Sequence, residues 1–240
     1  EIAQCLVGSE MCIRDRTMIE IKNLNKIYLK GKKNMVHALN NINLKIDDRE
    51  TVAIIGESGA GKSTLLHIMS CIDNFDGEYY LDNIDINKLS ESKKSKLRSS
   101  KIGIVLQDFA LIDDFTVFEN VMTPLYFNKK IKDKKGSVMR ALKKTGIVSL
   151  KAKKVSQLSG GQKQRVAISR ALVTSPEYIF ADEPTGSLDS KTSEEIVKML
   201  FDLNRNGITI VIVTHNLEIA NQCHHIIEIK DGNIIKDICS

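Results

Sequence analysis

With 240 residues, 42% of them hydrophobic and 27% charged, the chain can bury one large core, which excludes a mini-protein and a disordered tail. The 35 Lys and Arg against 30 Asp and Glu, a net +5, permit attraction to phosphates or anionic lipid without selecting either. No segment approaches the roughly 20 apolar residues of a bilayer crossing. Cys5, Cys12, Cys71, Cys223 and Cys239 form neither a CxxC pair nor a disulfide framework, so free thiols in a reducing, cytosolic compartment are expected.

Residues 1–17 hold two of the five cysteines and show no helical or strand period. They lack the charged start and apolar core of a signal peptide, and the sequence from Met18 reads as a natural start. The segment is therefore expected to be extraneous, with a short ordered arm as the alternative. Next, Ile19, Ile21 and Leu24, then Ile42, Leu44 and Ile46, alternate with polar residues around the basic turn Lys30-Gly31-Lys32-Lys33, which predicts an antiparallel strand layer. Residues 51–55 form an apolar run ending at Gly56, the pattern of a strand buried on both faces, and a helix is expected through Leu65, Leu66 and Met69.

The stretch of about 89–157 is rich in Lys and Ser, with an amphipathic basic patch at 138–145, and reads as a helical insertion. Strand-type runs return at 178–181 and 208–213, separated by a helix whose apolar face is Ile196, Val197, Leu200 and Leu203. Strand, helix, strand is the rhythm of a parallel sheet.

Three constellations carry chemistry. Gly56-Glu57-Ser58-Gly59-Ala60-Gly61-Lys62-Ser63 fits G-x-x-x-x-G-K-[ST] between a buried strand and a helix. Glycines let the backbone turn several N–H groups toward phosphate oxygens, and the helix N-terminus adds partial positive charge. Lys62 is expected to reach the β and γ phosphates, and the Ser63 hydroxyl to ligate Mg²⁺. At the end of the 178–181 strand, Asp182 can join the Mg²⁺ shell while Glu183 polarises an attacking water as general base; that strand is expected beside the first. Leu158-Ser159-Gly160-Gly161-Gln162 starts a helix containing Arg165, Val166, Ile168 and Leu172. It is either a second anion-binding nest or a plain serine-capped helix.

Together these motifs resemble the ATP-binding subunits of ABC transporters, and the resemblance covers the chain from Met18 onward. It implies an α/β fold, a P-loop NTPase (RecA-like) core with an antiparallel β layer and a helical insertion. The core is expected at 18–88 and 163–240 and the helical subdomain at 89–162. It also implies two copies meeting head to tail, each ATP lying between the phosphate cradle of one, Thr64 included, and Ser159, Gly160, Gly161 and Gln162 of the other.

By the same resemblance, Tyr28 looks like the aromatic that stacks on adenine. Gln107, after a strand read at 102–106, looks like the glutamine that meets Mg²⁺ and the water and links the core to the insertion, and His215 like the switch histidine at the γ phosphate. Ser187-Leu188-Asp189 looks like a loop crossing the dimer interface, although alone it reads as a helix N-cap. His67, His224 and His225 receive no role.

The stretches 107–112, 116–121 and 181–189 are similar to the macrolide-export, lipoprotein-release and antimicrobial-peptide-resistance branch. Asn83 stands where many relatives carry a turn glycine, and Asn tolerates the left-handed conformation. The implied activity is ATP hydrolysis that drives an integral membrane permease from the cytoplasmic face, with ATP and Mg²⁺ as cofactors and no nucleic acid partner. Phe109, Phe115, Phe118, Tyr126 and Phe127 either receive that permease or fill the insertion's own core. The alternative function is ATP-dependent recruitment to a cell-division-type membrane complex. A nucleic-acid or ribosome-directed ATPase would carry a long coiled-coil insertion or a second cassette, and neither is visible.

Overall fold

The computed structural model describes residues 17–29, 31 and 34–239. Residues 1–16, expected to be extraneous and bearing Cys5 and Cys12, lie outside the described residues, as do Lys30, Lys32 and Lys33 of the basic turn. Strands β1 (Thr17–Tyr28), β2 (Val36–Asp47), β4 (Asp76–Leu81) and β5 (Ile84–Asp85) form an antiparallel sheet in the order β2-β1-β4-β5. This is the expected outer layer. Its alternating residues point Ile19, Ile21, Leu24, Ile42, Leu44 and Ile46 into the core. Asn83, in the β4–β5 turn, has φ 61, the left-handed conformation that its type tolerates.

The second sheet has six strands in the order β10-β9-β3-β8-β7-β6. These are β3 (Thr51–Ile55), β6 (Ile102–Val105), β7 (Tyr178–Asp182), β8 (Thr209–Val213), β9 (His225–Lys230) and β10 (Asn233–Cys239). All neighbours are parallel except β9 and β10. β7 and β8 are buried at every position, because helices or strands cover both faces of this sheet and leave no polar side. The period of two still sorts the side chains. Val52, Ile54, Tyr178, Phe180, Val211 and Val213 face the antiparallel layer and helix α1 (Lys62–Met69). Ile179, Ala181, Ile210 and Ile212 face the helices beyond.

Those helices are α3 (Val117–Phe127), α4 (Lys134–Lys144), α5 (Gly160–Leu172) and α6 (Ser190–Arg205); α2 (Glu91–Lys101) precedes β6 and the short α7 (Leu217–Ala220) follows β8. The apolar stripe of α6 is the one expected, with Ile196, Val197, Leu200 and Leu203 buried. Within 89–162 the strand read before Gln107 is β6, and it is the outermost strand of the parallel sheet, hydrogen-bonded along β7. One expectation needs correction. The 178–182 strand does not lie beside β3, because β8 runs between them.

Phe180 is fully buried and stacks with Tyr178 at a centroid distance of 6.3 Å. Phe180→Ala should cost about 3–5 kcal/mol, read as a lower urea midpoint with an unchanged slope. A loss below about 1 kcal/mol would show that this face of the sheet repacks freely.

Candidate functional site

The tips of β3, β8 and β7 share one level. Ile54 pairs with Val213, and Val213 pairs with Asp182. Beyond that level the chain leaves each strand with a chemically loaded residue: Gly56 after β3, His215 after β8, Glu183 after β7. Two backbone hydrogen bonds hold the exits together, Thr214 N–H to Ile54 O at 3.1 Å and Glu183 N–H to Val213 O at 2.9 Å.

The cradle bends where side chains are forbidden. Gly56 has φ 147 and a Cβ there would lie 2.1 Å from Ile229 O; Gly61 has φ 105 and a Cβ would lie 2.4 Å from Ala38 O. Lys62 opens α1 and is 8% exposed; its ammonium donates to Gly56 O at 2.9 Å and Glu57 O at 2.7 Å. Ser63 Oγ donates to Asp182 Oδ1 at 3.1 Å, so the two groups expected to share a cation already touch, although their strands are not adjacent.

Glu183 is strained and underused. Its φ of 45 is a left-handed value that costs a non-glycine residue on the order of 1 kcal/mol or more. Its side chain is 13% exposed, and Oε2 lies 2.9 Å from His215 Nδ1 without the alignment of a hydrogen bond. A half-buried carboxylate oxygen with no hydrogen bond is costly unless a further group is meant to engage it.

One cavity of about 560 Å³ brings together Tyr28, Ser58, Gly59, Gly61, Lys62, Ser63, Thr64, Gln107, Glu183 and His215; Gly56, Glu57, Ala60 and Asp182 are not among the residues lining it. Tyr28 sits at the rim. Its hydroxyl donates to Asp73 Oδ2 at 2.6 Å, and Lys26 Nζ lies 4.7 Å from its ring centre. Burial opposes the charged form of Asp73, yet the hydrogen bonds from Lys26 and Tyr28 outweigh it and hold the carboxyl below its ordinary pKa. The loop after Gln107 takes left-handed turns at Phe109 and Ala110. The Arg170 guanidinium grips both of their carbonyl oxygens, that of Phe109 at 2.8 Å. Sequence reasoning missed Arg170, whose place in an amphipathic helix gave no signal.

Ser159, Gly160, Gly161 and Gln162 are not among the residues lining this cavity. Ser159 caps α5 reciprocally with Gln162. Ser159 and Gly160 are also exposed, which leaves that helix start open to a partner. Asp189 likewise caps α6, through Thr192 N–H.

Whether a nucleotide and Mg²⁺ fit can be judged from the residues present. A glycine-built loop with room only for backbone, a buried ammonium satisfied by carbonyls, and a hydroxyl touching a carboxylate suit a polyphosphate and a hard, oxygen-seeking cation. Parallel sheet, phosphate cradle and two consecutive carboxylates at the tip of β7 define a P-loop ATPase.

The comparisons narrow the class. Residues 39–186 match the ABC transporter family. The uncharacterized ABC transporter ATP-binding protein MJ0796 of Methanocaldococcus jannaschii is 44% identical over 92% of this chain and 96% of its own length. The macrolide export ATP-binding/permease protein MacB of Mannheimia succiniciproducens is 45% identical over 92% of this chain, which spans only 34% of that relative. Among solved structures, a dimeric post-hydrolysis state of MJ0796 bound to ADP and Pi matches with a TM-score of 0.85 and 42% identity, covering 92% of this chain and 98% of that one. The chain belongs to the ABC transporter family, as an ATP-binding cassette that hydrolyses ATP.

A Cβ on Gly161 would lie 2.4 Å from Thr192 Cγ2, and Thr192 Oγ1 is tied to Asp189 at 2.7 Å. Gly161→Ala should therefore destabilise by about 1–3 kcal/mol. Adding Thr192→Ser, which deletes that methyl and keeps the hydroxyl, should restore most of the loss in thermal unfolding.

Proposed function

We propose that two copies of this chain close head to tail around two ATP molecules and that hydrolysis reopens them, driving an integral membrane permease in export or lipoprotein release. The observation that carries the reading is the separation of the two anion-seeking motifs. The cavity gathers the cradle, Gln107, Glu183 and His215, while Ser159 and Gly160 stand exposed outside it. One chain can engage a nucleotide from one side only, so a second copy would supply the other side. Bound triphosphate then favours the closed pair through its differential affinity for closed over open.

In the closed state Lys62 exchanges its two carbonyl partners for β and γ phosphate oxygens, and the cradle N–H groups and the α1 N-terminus hold the chain of phosphates. Tyr28 stacks on the adenine. Mg²⁺, held by Ser63, Asp182 and Gln107, supplies charge neutralisation on the phosphate oxygens. Glu183 takes the proton of the attacking water through the oxygen that lacks a hydrogen bond, and His215, in contact with that carboxylate, meets the γ phosphate.

The dimeric neighbour supports the pairing, and the similarity to MacB, an ATP-binding/permease protein, supports a permease partner, which would place the chain at the cytoplasmic face of the membrane. Tyr126 and Phe127, 65% and 73% exposed at the end of α3, support a docking role there. Phe109 and Phe118 pack into the helical core instead.

Glu183→Gln should bind ATP and dimerise but hydrolyse more slowly by on the order of 10² or more. Lys62→Ala should fail to bind and stay monomeric. Light scattering on nucleotide-saturated protein, with a phosphate-release assay, checks both. Near-normal turnover of Glu183→Gln would remove Glu183 as the base, and a strictly monomeric Glu183→Gln, even with its permease, would remove the dimer.

A further inference from the structure

The parallel sheet has a second chemically loaded edge, one strand length from the cradle, about 16 Å along the five residues of β3. At the N-terminal ends of β3 and β9, and at the end of β10, Glu50, His225 and Cys239 bring a carboxylate oxygen, an imidazole nitrogen and a thiol sulfur within 4.8 Å of one another. We propose that these three side chains form a binding site for a borderline-soft divalent cation of the Zn²⁺ type, separate from the nucleotide site.

The imidazole is the centre of the argument. His225 is 2% exposed, and its Nε2 lies 2.5 Å from Asp237 Oδ1. A carboxylate only accepts, so Nε2 carries a hydrogen and Nδ1 is turned the other way. Nδ1 faces Glu50 Oε1 at 3.1 Å, buried and without the alignment of a hydrogen bond. A carboxylate and a ring nitrogen facing each other in a buried place call for a positive charge between them. A proton on Nδ1 answers that demand for two groups; a cation answers it for all three, because the thiol within reach completes a coordination set of nitrogen, oxygen and sulfur.

The surroundings match what orients metal ligands. A histidine ligand characteristically donates its other N–H to a carboxylate, which fixes its tautomer and raises its basicity, and Asp237 is so placed. The second oxygen of Glu50 accepts the Asp47 N–H at 2.8 Å, which aims Oε1 at the cluster. The register supplies the rest, since Cys239 pairs with His225 across β9 and β10, and Glu50 directly precedes β3.

A tetrahedral zinc site with bonds of about 2.0–2.3 Å separates its ligands by about 3.3–3.8 Å. The imidazole and the Glu50 carboxylate already stand 3.1 Å apart and no pair exceeds 4.8 Å, so the widest need close by at most about 1 Å, a movement open to the exposed Cys239 on the outer strand. Mixed nitrogen, sulfur and oxygen donors select Zn²⁺ or Co²⁺ over Mg²⁺, which takes oxygen alone. Three protein ligands leave a fourth position for water. A cation there would rivet the β2–β3 turn and the last two strands into one body.

The test uses the full chain without nucleotide, stripped by a chelator, kept reduced with a phosphine, and titrated with Co²⁺ alone. The expected result is a tetrahedral cobalt spectrum with a thiolate-to-cobalt charge-transfer band, lost in Cys239→Ser. In Glu50→Gln, cobalt should bind at least about tenfold more weakly, the least that loss of even an outer-shell partner costs. Zn²⁺ should displace cobalt and raise the unfolding temperature of the parent but not of Cys239→Ser. Absence of a thiolate band at excess cobalt, or a band unchanged in Cys239→Ser, would overturn the site. Neither result touches the reading of the ATPase, because no nucleotide enters the experiment.

Discussion

The structure depends on the ladder level at which Val213 faces Ile54 on one side and Asp182 on the other. Parallel strands in register end together, and a buried sheet can bear charge only where it ends. The apolar runs of β3, β7 and β8 therefore deliver the cradle, the carboxylates and His215 to one line of space although more than a hundred residues separate the cradle from the other two in the chain. Two backbone hydrogen bonds just past that line, to Ile54 O and Val213 O, keep the exits from splaying. Without them, Ser63 and Asp182 would have no reason to meet at 3.1 Å.

Strain collects where that line meets the cavity. Glu183 adopts a left-handed backbone, and so do Phe109 and Ala110 just after Gln107. None is a residue for which that conformation is free. The sheet on one side and Arg170 on the other hold these bends in place. A carboxylate kept short of hydrogen bonds and a loop kept tightly folded both store the capacity to respond when a ligand arrives.

What was legible in the sequence was local. The glycine-rich loop, the acids after an apolar run and the Ser159 cap are each written in a few consecutive residues, and strand or helix periods supported them. What was illegible was pairing at a distance. Nothing in 178–182 says that β8 slips between it and β3. Arg170 reads as one more polar position on a helix. His225 was given no role because its partners, Glu50, Asp237 and Cys239, gather only through sheet register, which a single chain read in order does not reveal.

Arg170 lies near the far end of the helix that begins beside Ser159, and it clasps the two carbonyls that follow Gln107. A helix of 13 residues spans about 20 Å and hardly bends. Gln107's loop and the serine cap are thus mounted on opposite ends of a single stiff rod. A shift of a fraction of an ångström at the glutamine would swing the distant cap as a crank turns its shaft, with no intervening contact to relay it.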